Sequence, residues 1–255
     1  MTDSAATPAE GGQSSRRRPV QRAERVASPS RSDGRWLLRL KPAVFLLCCV
    51  PAALLFWNAW LVIHGDESTD LGADPIRALE IRTGLWTLRF LAITLAVTPI
   101  RQLTSLGALA KYRRLLGLFT FFYACLHVST WLGVDWFFDW RAMGGEIVKH
   151  KYILVGMATF LLLVPLALTS TNAAVRRLGG RRWTALHRLV YVAAITGTVH
   201  YLWAVKKDTL FPLAYLATFL LLLGYRALQL LRRRGARARV ADGGRADGAR
   251  RAAAH

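Results

Sequence analysis

Six long apolar segments constrain this chain more than any other feature of its sequence. Each runs for 17 to 22 residues with at most one Lys, Arg, Asp or Glu, the length and composition of a helix that crosses a bilayer. Lipid offers no hydrogen-bond partners to free backbone groups, so such segments must be helical. We therefore predict an all-α integral membrane protein with six transmembrane helices, at residues 42–63, 84–100, 115–134, 152–169, 186–205 and 210–231.

The distribution of charge predicts the orientation of these helices. The formal net charge is +20, which in a soluble protein would suggest nucleic-acid binding. Here 25 Lys and Arg residues lie in the two tails and in the second-to-third and fourth-to-fifth connections, against seven in the connections on the other side. The positive-inside rule therefore puts both termini in the cytoplasm. Because topology accounts for the charge, we predict a lipid environment and no nucleic-acid partner.

The polar ends of the chain bound the transmembrane domain. Residues 1–41 are rich in Ser, Arg, Pro and Gly, and residues 232–255 are mostly Arg, Ala and Gly. Both compositions are typical of disordered segments, so we predict two basic cytoplasmic tails around a membrane domain at residues 42–231. The first tail is too polar, and the segment after it too long, for a cleaved signal peptide.

Polar residues inside the apolar segments carry the functional information. No Asp or Glu lies within the six segments, which counts against a proton-coupled transporter. The histidines and arginines within the segments include His127, His187, His200, Arg89 and Arg226. The three cysteines lie in apolar segments, where a thiol usually behaves as a small hydrophobic group.

His127 and His200 are expected at matching depths. With a rise of ~1.5 Å per residue, His127 lies ~18 Å into the third segment and His200 ~21 Å into the fifth. Both segments run outward, so both imidazoles fall in the outer half of the bilayer, as the two axial ligands of one haem iron would require. The chain has no CxxCH motif, so side chains alone would hold such a haem.

His187 lies ~20 Å below His200 on the same predicted helix. The same distance along the third segment reaches Arg113 and Arg114 instead of a histidine. An inner haem would therefore be weakly held or five-coordinate, or another redox group would take its place. The 13-residue separation turns His187 and His200 ~140° apart on an ideal helix, which predicts a distortion near Thr196 or Gly197.

Simpler interpretations exist for each of these side chains. An intramembrane histidine can hydrogen-bond to a neighbouring helix without binding a cofactor. Arg226 is expected to snorkel to the cytoplasmic surface. Arg89 has two open interpretations, because it lies close enough to the outer boundary to snorkel and is also well placed to meet a haem propionate.

Four stretches of the chain together resemble a known family. They are DPIRALEIRTGLWTLRFLAITLAVTPIRQL (74–103), RRLLGLFTFFYACLHVSTWL (113–132), YILVGMATFLLLVPLALTS (152–170) and RRLGGRRWTALHRLVYVAAITGTVHYLWAVKKD (176–208). The combination of TGxWxLRF, RRxLGL with a downstream LH, LALTS, and LHRLVY with a downstream HY resembles the MsrQ (YedZ) family of ferric-reductase-like transmembrane proteins. The resemblance covers a core at about residues 74–208.

The resemblance implies a specific function. Family members are b-type cytochromes of the bacterial inner membrane that pass electrons to MsrP, a periplasmic molybdopterin enzyme that reduces methionine sulfoxide in oxidised proteins. It implies one or two haems b held by His127, His187 and His200, with Arg113 at the inner level. It also implies FMN, and a quinol or a cytosolic flavin reductase as electron donor. The chain would then be an electron-transfer subunit and not the catalytic one.

Two other functions stay open at this point. The chain has no Gly-rich dinucleotide motif after residue 231, so we expect its electrons to come from a separate donor. One alternative is a transmembrane ferric or quinone reductase without a molybdoenzyme partner. The other is a haem-free membrane scaffold whose histidines serve only in packing.

Overall fold

The described part of the chain is helical throughout. A computed structural model describes residues 39–66, 69–205 and 207–252, and these ranges contain helices and no strand. Most of the predicted N-terminal tail lies outside the described residues. The helices are α1 (Lys41–Ile63), α2 (Pro75–Thr104), a 3₁₀ turn (Gly107–Lys111), α3 (Arg113–Ser129) continued by a π-helical turn (Thr130–Asp135), α4 (Trp140–Lys149), α5 (Lys151–Leu168), α6 (Asn172–His187), α7 (Leu189–Ala204) and α8 (Leu210–Ala252).

Five helical segments are long and apolar enough to cross a membrane. They are Lys41–Ile63, Pro75–Thr104, Gly107–Asp135, Lys151–Leu168 and Leu210–Ala236. The prediction of a multi-pass membrane protein is confirmed in this form. The remaining predicted span corresponds to α7, which has only 16 residues and is shorter than these five. A sixth span and cytoplasmic termini therefore stay predictions.

Helix α2 begins well before the apolar segment that predicted it. The Asp74 carboxylate accepts a hydrogen bond from the Arg77 backbone N–H at 3.1 Å, and Pro75 occupies the first turn. An acidic N-cap followed by proline is a strong helix start. The earlier start adds about two and a half turns, which contain Glu80, so α2 carries an acidic residue that the apolar segment did not include.

The predicted fifth segment corresponds to α7, except that its first two residues form the end of α6. α6 ends at His187, Arg188 forms the joint, and α7 begins at Leu189. His187 and His200 therefore do not share one continuous helix, and the expected distortion falls at Arg188 instead of near Gly197. α6 is itself broken at Gly179, whose φ of 74° and ψ of 149° favour glycine.

The segment predicted as a disordered C-terminal tail continues α8. This helix extends from Leu210 to Ala252, so the prediction for residues 232–255 differs from the structure over most of its length. The physical reason is local composition, because Arg and Ala are both strong helix formers even where no apolar face needs packing.

Helix α2 lies at the centre of the packing. It packs most extensively on α3, while α5 packs on α7. One buried cluster joins α1, α2 and α3 around Phe90, Phe119 and Tyr123, and a second joins α2, α7 and α8 around Leu91 and Phe219. A third joins α3, α5 and α7 at Ala124, Leu163 and Ala193. The pair α2–α3 and the pair α5–α7 therefore face each other, and the candidate site lies between them.

Candidate functional site

His127 is fixed by the neighbouring helix α2. Its Nδ1–H donates to the Glu80 backbone carbonyl at 2.9 Å, and the Thr83 hydroxyl lies 3.4 Å from the same nitrogen. Gly84 lies directly against the ring, since a β carbon there would approach the His127 Cε1 and Nδ1 atoms to 3.3 Å. The bond to the carbonyl puts the proton on Nδ1 and leaves the Nε2 lone pair free.

His200 is fixed in the same way by helix α5. Its Nδ1–H donates to the Tyr152 backbone carbonyl at 2.7 Å. Gly156 lies against this ring even more closely, because a β carbon there would come within 2.6 Å of the His200 Nδ1 atom. The imidazole can occupy this place only because residue 156 has no side chain.

The two histidines use one common local arrangement. In each case a histidine donates Nδ1–H to a carbonyl of the adjacent helix, and a glycine four residues further along that helix makes room for the ring. The pairs are Glu80 with Gly84 on α2 and Tyr152 with Gly156 on α5. A ligating histidine commonly donates its other ring N–H to a carbonyl, which fixes its tautomer and orientation.

The distance between the two imidazoles fits a shared metal. The ring centroids of His127 and His200 lie 6.0 Å apart with an angle of 72° between the ring planes. Two imidazoles bound through Nε2 to one metal at ~2.0–2.1 Å have centroids ~6.4 Å apart when the two bonds are collinear. Both Nε2 atoms are the ones that the carbonyl bonds leave free, so the pair fits axial ligation.

Two imidazoles do not complete the coordination of an iron by themselves. Across residues 39–66, 69–205 and 207–252, no group of three or more His, Cys, Asp or Glu side chains is arranged to hold a metal ion. The remaining ligands would have to come from a group that brings its own nitrogens, and a porphyrin does this. The donor set therefore fits haem better than a metal ion bound by protein alone.

A cavity of about 350 Å³ contains both histidines. Its walls include small residues from four helices, among them Gly84, Ala124, Gly156, Ala193 and Gly197. Small side chains on facing helices leave a flat space between them, as a planar ring system requires. Acidic residues also line the cavity, namely Glu80, Asp135, Glu146 and Asp208, together with the basic residue Arg77.

The structure separates the residues predicted at the inner level. His187 stacks on Trp183 at 3.8 Å and its Nδ1–H donates to the Trp183 carbonyl at 3.1 Å, while its Nε2 is buried without a hydrogen bond. The arginine whose charge acts on His187 is Arg114. Arg113 instead donates to the Thr98 hydroxyl of α2 at 2.8 Å. The cavity of His127 and His200 is not lined by either His187 or Arg113.

The two remaining arginines also have defined places. Arg89 lies over the Trp86 ring at 4.6 Å and does not line the cavity, so the structure does not bring it together with the histidine pair. Arg226 turns inward instead of snorkelling. Its guanidinium donates to the Tyr191 hydroxyl at 2.6 Å and to the Leu95 carbonyl at 3.0 Å.

Sequence reasoning missed the residues that support the two histidines. Glu80 and Tyr152 act through backbone carbonyls, which no side-chain pattern reveals. Gly84 and Gly156 carried a usable signal, because a glycine inside an apolar helix costs stability and usually has a packing reason. Glu80 is also notable because one of its carboxyl oxygens, Oε1, is buried without a hydrogen bond.

The class of this helical membrane protein comes from comparison with known families. A family model described as "Ferric reductase like transmembrane component" matches residues 83–198. This range contains His127 and His187 and ends two residues before His200.

Curated relatives narrow the assignment further. A Rhodospirillum rubrum protein named "Protein-methionine-sulfoxide reductase heme-binding subunit MsrQ" is 50% identical over 192 residues, which are 75% of this chain and 89% of that protein. Proteins of the same name from Azospira oryzae and Xanthomonas campestris pv. campestris (strain B100) are each 46% identical. They match 79% and 80% of this chain, and 84% and 92% of their own lengths. The chain belongs to the MsrQ family.

Proposed function

We propose that this chain is the haem-binding electron-transfer subunit of a periplasmic protein-methionine-sulfoxide reductase system. The observation that carries the proposal is the pair His127 and His200, with ring centroids 6.0 Å apart and both Nδ1 atoms bonded to carbonyls of facing helices. The names of the relatives support it, since each is a haem-binding subunit of a protein-methionine-sulfoxide reductase. The catalytic subunit would be a separate, molybdopterin-dependent MsrP-like protein.

The contribution of the chain is ligation and orientation. His127 and His200 would bind a haem b through Nε2, and the Glu80 and Tyr152 carbonyls would hold the two rings in that tautomer. When bound, the haem supplies the one-electron chemistry, and the protein tunes it through its ligands and the local polarity.

The direction of transfer follows from the charge asymmetry and the depth of the histidines. We assign both termini to the cytoplasm of the bacterial inner membrane and α7 to a sixth span. The His127–His200 level is then the periplasmic exit. The cavity at that level is lined by four acidic residues, Glu80, Asp135, Glu146 and Asp208, and by the basic residue Arg77.

The inner end of the path involves His187. The His187 Nε2 atom is buried and makes no hydrogen bond of ordinary length, and the backbone carbonyl of Leu166 lies near the ring. The cation whose charge acts on His187 is Arg114. We propose that His187 contacts the inner redox group, either a second haem or FMN, and that a quinol or a cytosolic flavin reductase donates the electrons. Arg113 and Arg89 lie away from the histidine pair and would contribute at most to the surroundings of these groups.

Haem stoichiometry and ligation test the proposal directly. The full chain is purified in detergent, and its haem content and Soret absorbance are measured in wild type and in His127→Ala, His200→Ala and His187→Ala. We expect His127→Ala and His200→Ala each to remove the same haem. His187→Ala should leave that haem in place and, if a second haem occupies the inner end, lower the total.

One control variant and two contrary results complete this test. His64→Ala is the matched control, because His64 lies outside the cavity at the end of α1 and stacks on Trp60. A wild-type protein without a Soret band would establish the haem-free scaffold instead. A Soret band unchanged by both His127→Ala and His200→Ala would refute these residues as ligands.

A further inference from the structure

Two arginines from different helices share one hydroxyl group at the other end of the bundle. The Thr98 Oγ1 atom of α2 accepts hydrogen bonds from Arg113 Nη2 of α3 at 2.8 Å and from Arg226 Nη2 of α8 at 2.7 Å. Thr98 lies 18 residues along α2 from Glu80, or ~27 Å away. This place is therefore distinct from the His127–His200 cavity.

A third arginine adds to the same positive group. Arg101 follows Thr98 by one helical turn, and its charge, like that of Arg226, acts on Arg113. The Nε atoms of Arg101 and Arg226 are both buried and have no hydrogen-bond partner. We call Arg101, Arg113 and Arg226 the arginine cluster. Its three guanidinium groups retain donors that no protein acceptor uses.

Among the described residues, no carboxylate forms an ion pair with the arginine cluster. The ion pairs in the described ranges are Arg82 with Asp70, and Lys149 and His150 with Glu146, all on other parts of the chain. The sequence has no Asp or Glu between Glu80 and Asp135, or between Asp208 and Asp242. Arg101 and Arg226 are half-buried and Arg113 is exposed. Three like charges close together, with no counter-ion among the described residues, repel each other.

The usual explanation for arginines near a helix end does not hold for this cluster. A snorkelling side chain turns its charge to water, but Arg226 points across the bundle to Tyr191, Leu95 and Thr98. Tyr191, Leu95 and Thr98 are all uncharged acceptors. They fix the guanidinium in place without cancelling its charge, so the described residues supply no anion to the cluster.

We propose that the arginine cluster binds a phosphate group. Guanidinium groups match phosphate oxygens with paired N–H donors, and a phosphate would meet the free Nε–H donors while neutralising the repulsion. Two kinds of molecule carry such a phosphate group. One is the headgroup of an anionic phospholipid, which basic pockets between transmembrane helices bind on the cytoplasmic side. The other is a soluble phosphate ester.

The test compares two probes on the full-length protein. Native mass spectrometry counts the phosphatidylglycerol that the purified chain retains from nanodiscs of phosphatidylcholine and phosphatidylglycerol, and equilibrium dialysis measures binding of FMN with inorganic phosphate as competitor. We expect at least one probe to bind. Arg101→Gln and Arg226→Lys should weaken that binding at least about tenfold, because each removes charged hydrogen bonds to the phosphate.

The variants are chosen so that a loss of phosphate binding can be distinguished from a loss of folding. Arg101→Gln removes an arginine whose side chain makes no hydrogen bond to another described residue. Arg226→Lys keeps the positive charge but removes the paired N–H donors of the guanidinium group. Arg188→Gln is the matched control, since Arg188 is an exposed arginine at the joint between α6 and α7, and it should bind like wild type. Loss of phosphatidylglycerol alone in the two cluster variants identifies a lipid site, and loss of FMN or phosphate identifies a soluble phosphate ester.

Two results would overturn the proposal. They are a wild-type protein that binds neither probe, and probe binding that Arg101→Gln and Arg226→Lys leave unchanged. Both results concern phosphate binding and are independent of whether the protein binds haem. A chain without a Soret band that still binds phosphate in an Arg101-dependent way would refute the haem proposal and support this one.

Discussion

Gly156 is the residue at which a single methyl group should have the largest effect. A β carbon there would approach His200 Nδ1 to 2.6 Å and block the bond from this nitrogen to the Tyr152 carbonyl. We expect Gly156→Ala to displace the ring and to reduce the haem bound at the His127–His200 level nearly as much as His200→Ala does. Soret absorbance per mole of purified protein measures this.

Two other glycine-to-alanine variants serve as comparisons for the haem content of Gly156→Ala. Gly84→Ala should lose less haem, because its β carbon would meet the His127 ring at 3.3 Å and a small shift can relieve that contact. Gly224→Ala on α8 should behave like wild type, since nothing lies within 4 Å of its added carbon. Equal haem content in Gly156→Ala and Gly224→Ala would contradict the close packing of His200 on α5.

Tyr123 connects α3 to the backbone of α1. Its hydroxyl donates to the Cys48 carbonyl at 2.8 Å and accepts from the Ala52 N–H at 2.9 Å, next to Pro51, which cannot donate a backbone hydrogen bond. We expect Tyr123→Phe to lower the free energy of unfolding by about 1–3 kcal/mol, because two buried backbone groups lose their partner.

Unfolding of the purified protein by SDS titration measures this change. Tyr215→Phe is the control, because Tyr215 makes a ring contact with Tyr201 and its hydroxyl has no hydrogen bond in the structure. If the Tyr123→Phe protein is as stable as the Tyr215→Phe protein, the Ala52 N–H and the Cys48 carbonyl of α1 are satisfied without the Tyr123 hydroxyl.

The histidines themselves were predictable, whereas their supports were not. His127 and His200 stand out because polar residues are rare in long apolar segments, and counting residues along a helix puts them at one depth. The hydrogen bond from His127 to Glu80 joins residues 47 apart in the chain, and that from His200 to Tyr152 joins residues 48 apart. Only the packing of α2 on α3 and of α5 on α7 creates those contacts.

Helix α7 decides the topology. It has 16 residues, follows directly on α6 at Arg188, and supplies His200. If α7 crosses the membrane, the chain has an even number of spans and both ends lie on one side. If it does not, the C-terminus lies on the opposite side and the depth argument for His200 fails.

Reporter fusions test this at defined positions. We expect alkaline phosphatase to be active when fused after Gly144 in α4, and inactive when fused after Arg177 or His255, because the basic connections stay in the cytoplasm. Green fluorescent protein at the same three positions should give the reverse pattern. An active phosphatase after His255 would show that α7 does not span the membrane.

Helix existence was more predictable than helix ends. Apolar runs are a local property, so each of the five candidate spans coincides with a predicted segment. The ends depend on capping and on joints that hydropathy does not report. The Asp74 cap extended α2 to include Glu80, and the turn at Arg188 separated the first two residues of the predicted fifth segment from α7.

In the cell, the complete protein is expected to support reduction of oxidised periplasmic methionines by a partner reductase. Deletion of this chain should abolish that reduction, and wild type should restore it. His127→Ala and His200→Ala should restore less than about 1% of it, because each removes a ligand on the only proposed exit. The measurement is the methionine sulfoxide content of a periplasmic reporter protein.

The partner reductase provides the control. Its activity with an artificial electron donor should be the same in all strains, since this chain supplies electrons and not the catalytic site. Full periplasmic reduction in the deletion strain would favour a ferric or quinone reductase that has no molybdoenzyme partner.

Sequence by itself determined that this chain is a helical membrane protein with a pair of histidines at one depth, together with the charge asymmetry that predicts its orientation. These properties follow from composition and helical rise, which depend only on residues close together in the sequence. Tertiary structure alone decided which carbonyls orient the two imidazoles, that Gly84 and Gly156 make room for them, and that Arg113 joins Arg226 at Thr98 and not His187. Such contacts join residues distant in sequence, and only the packing of one helix face on another selects them.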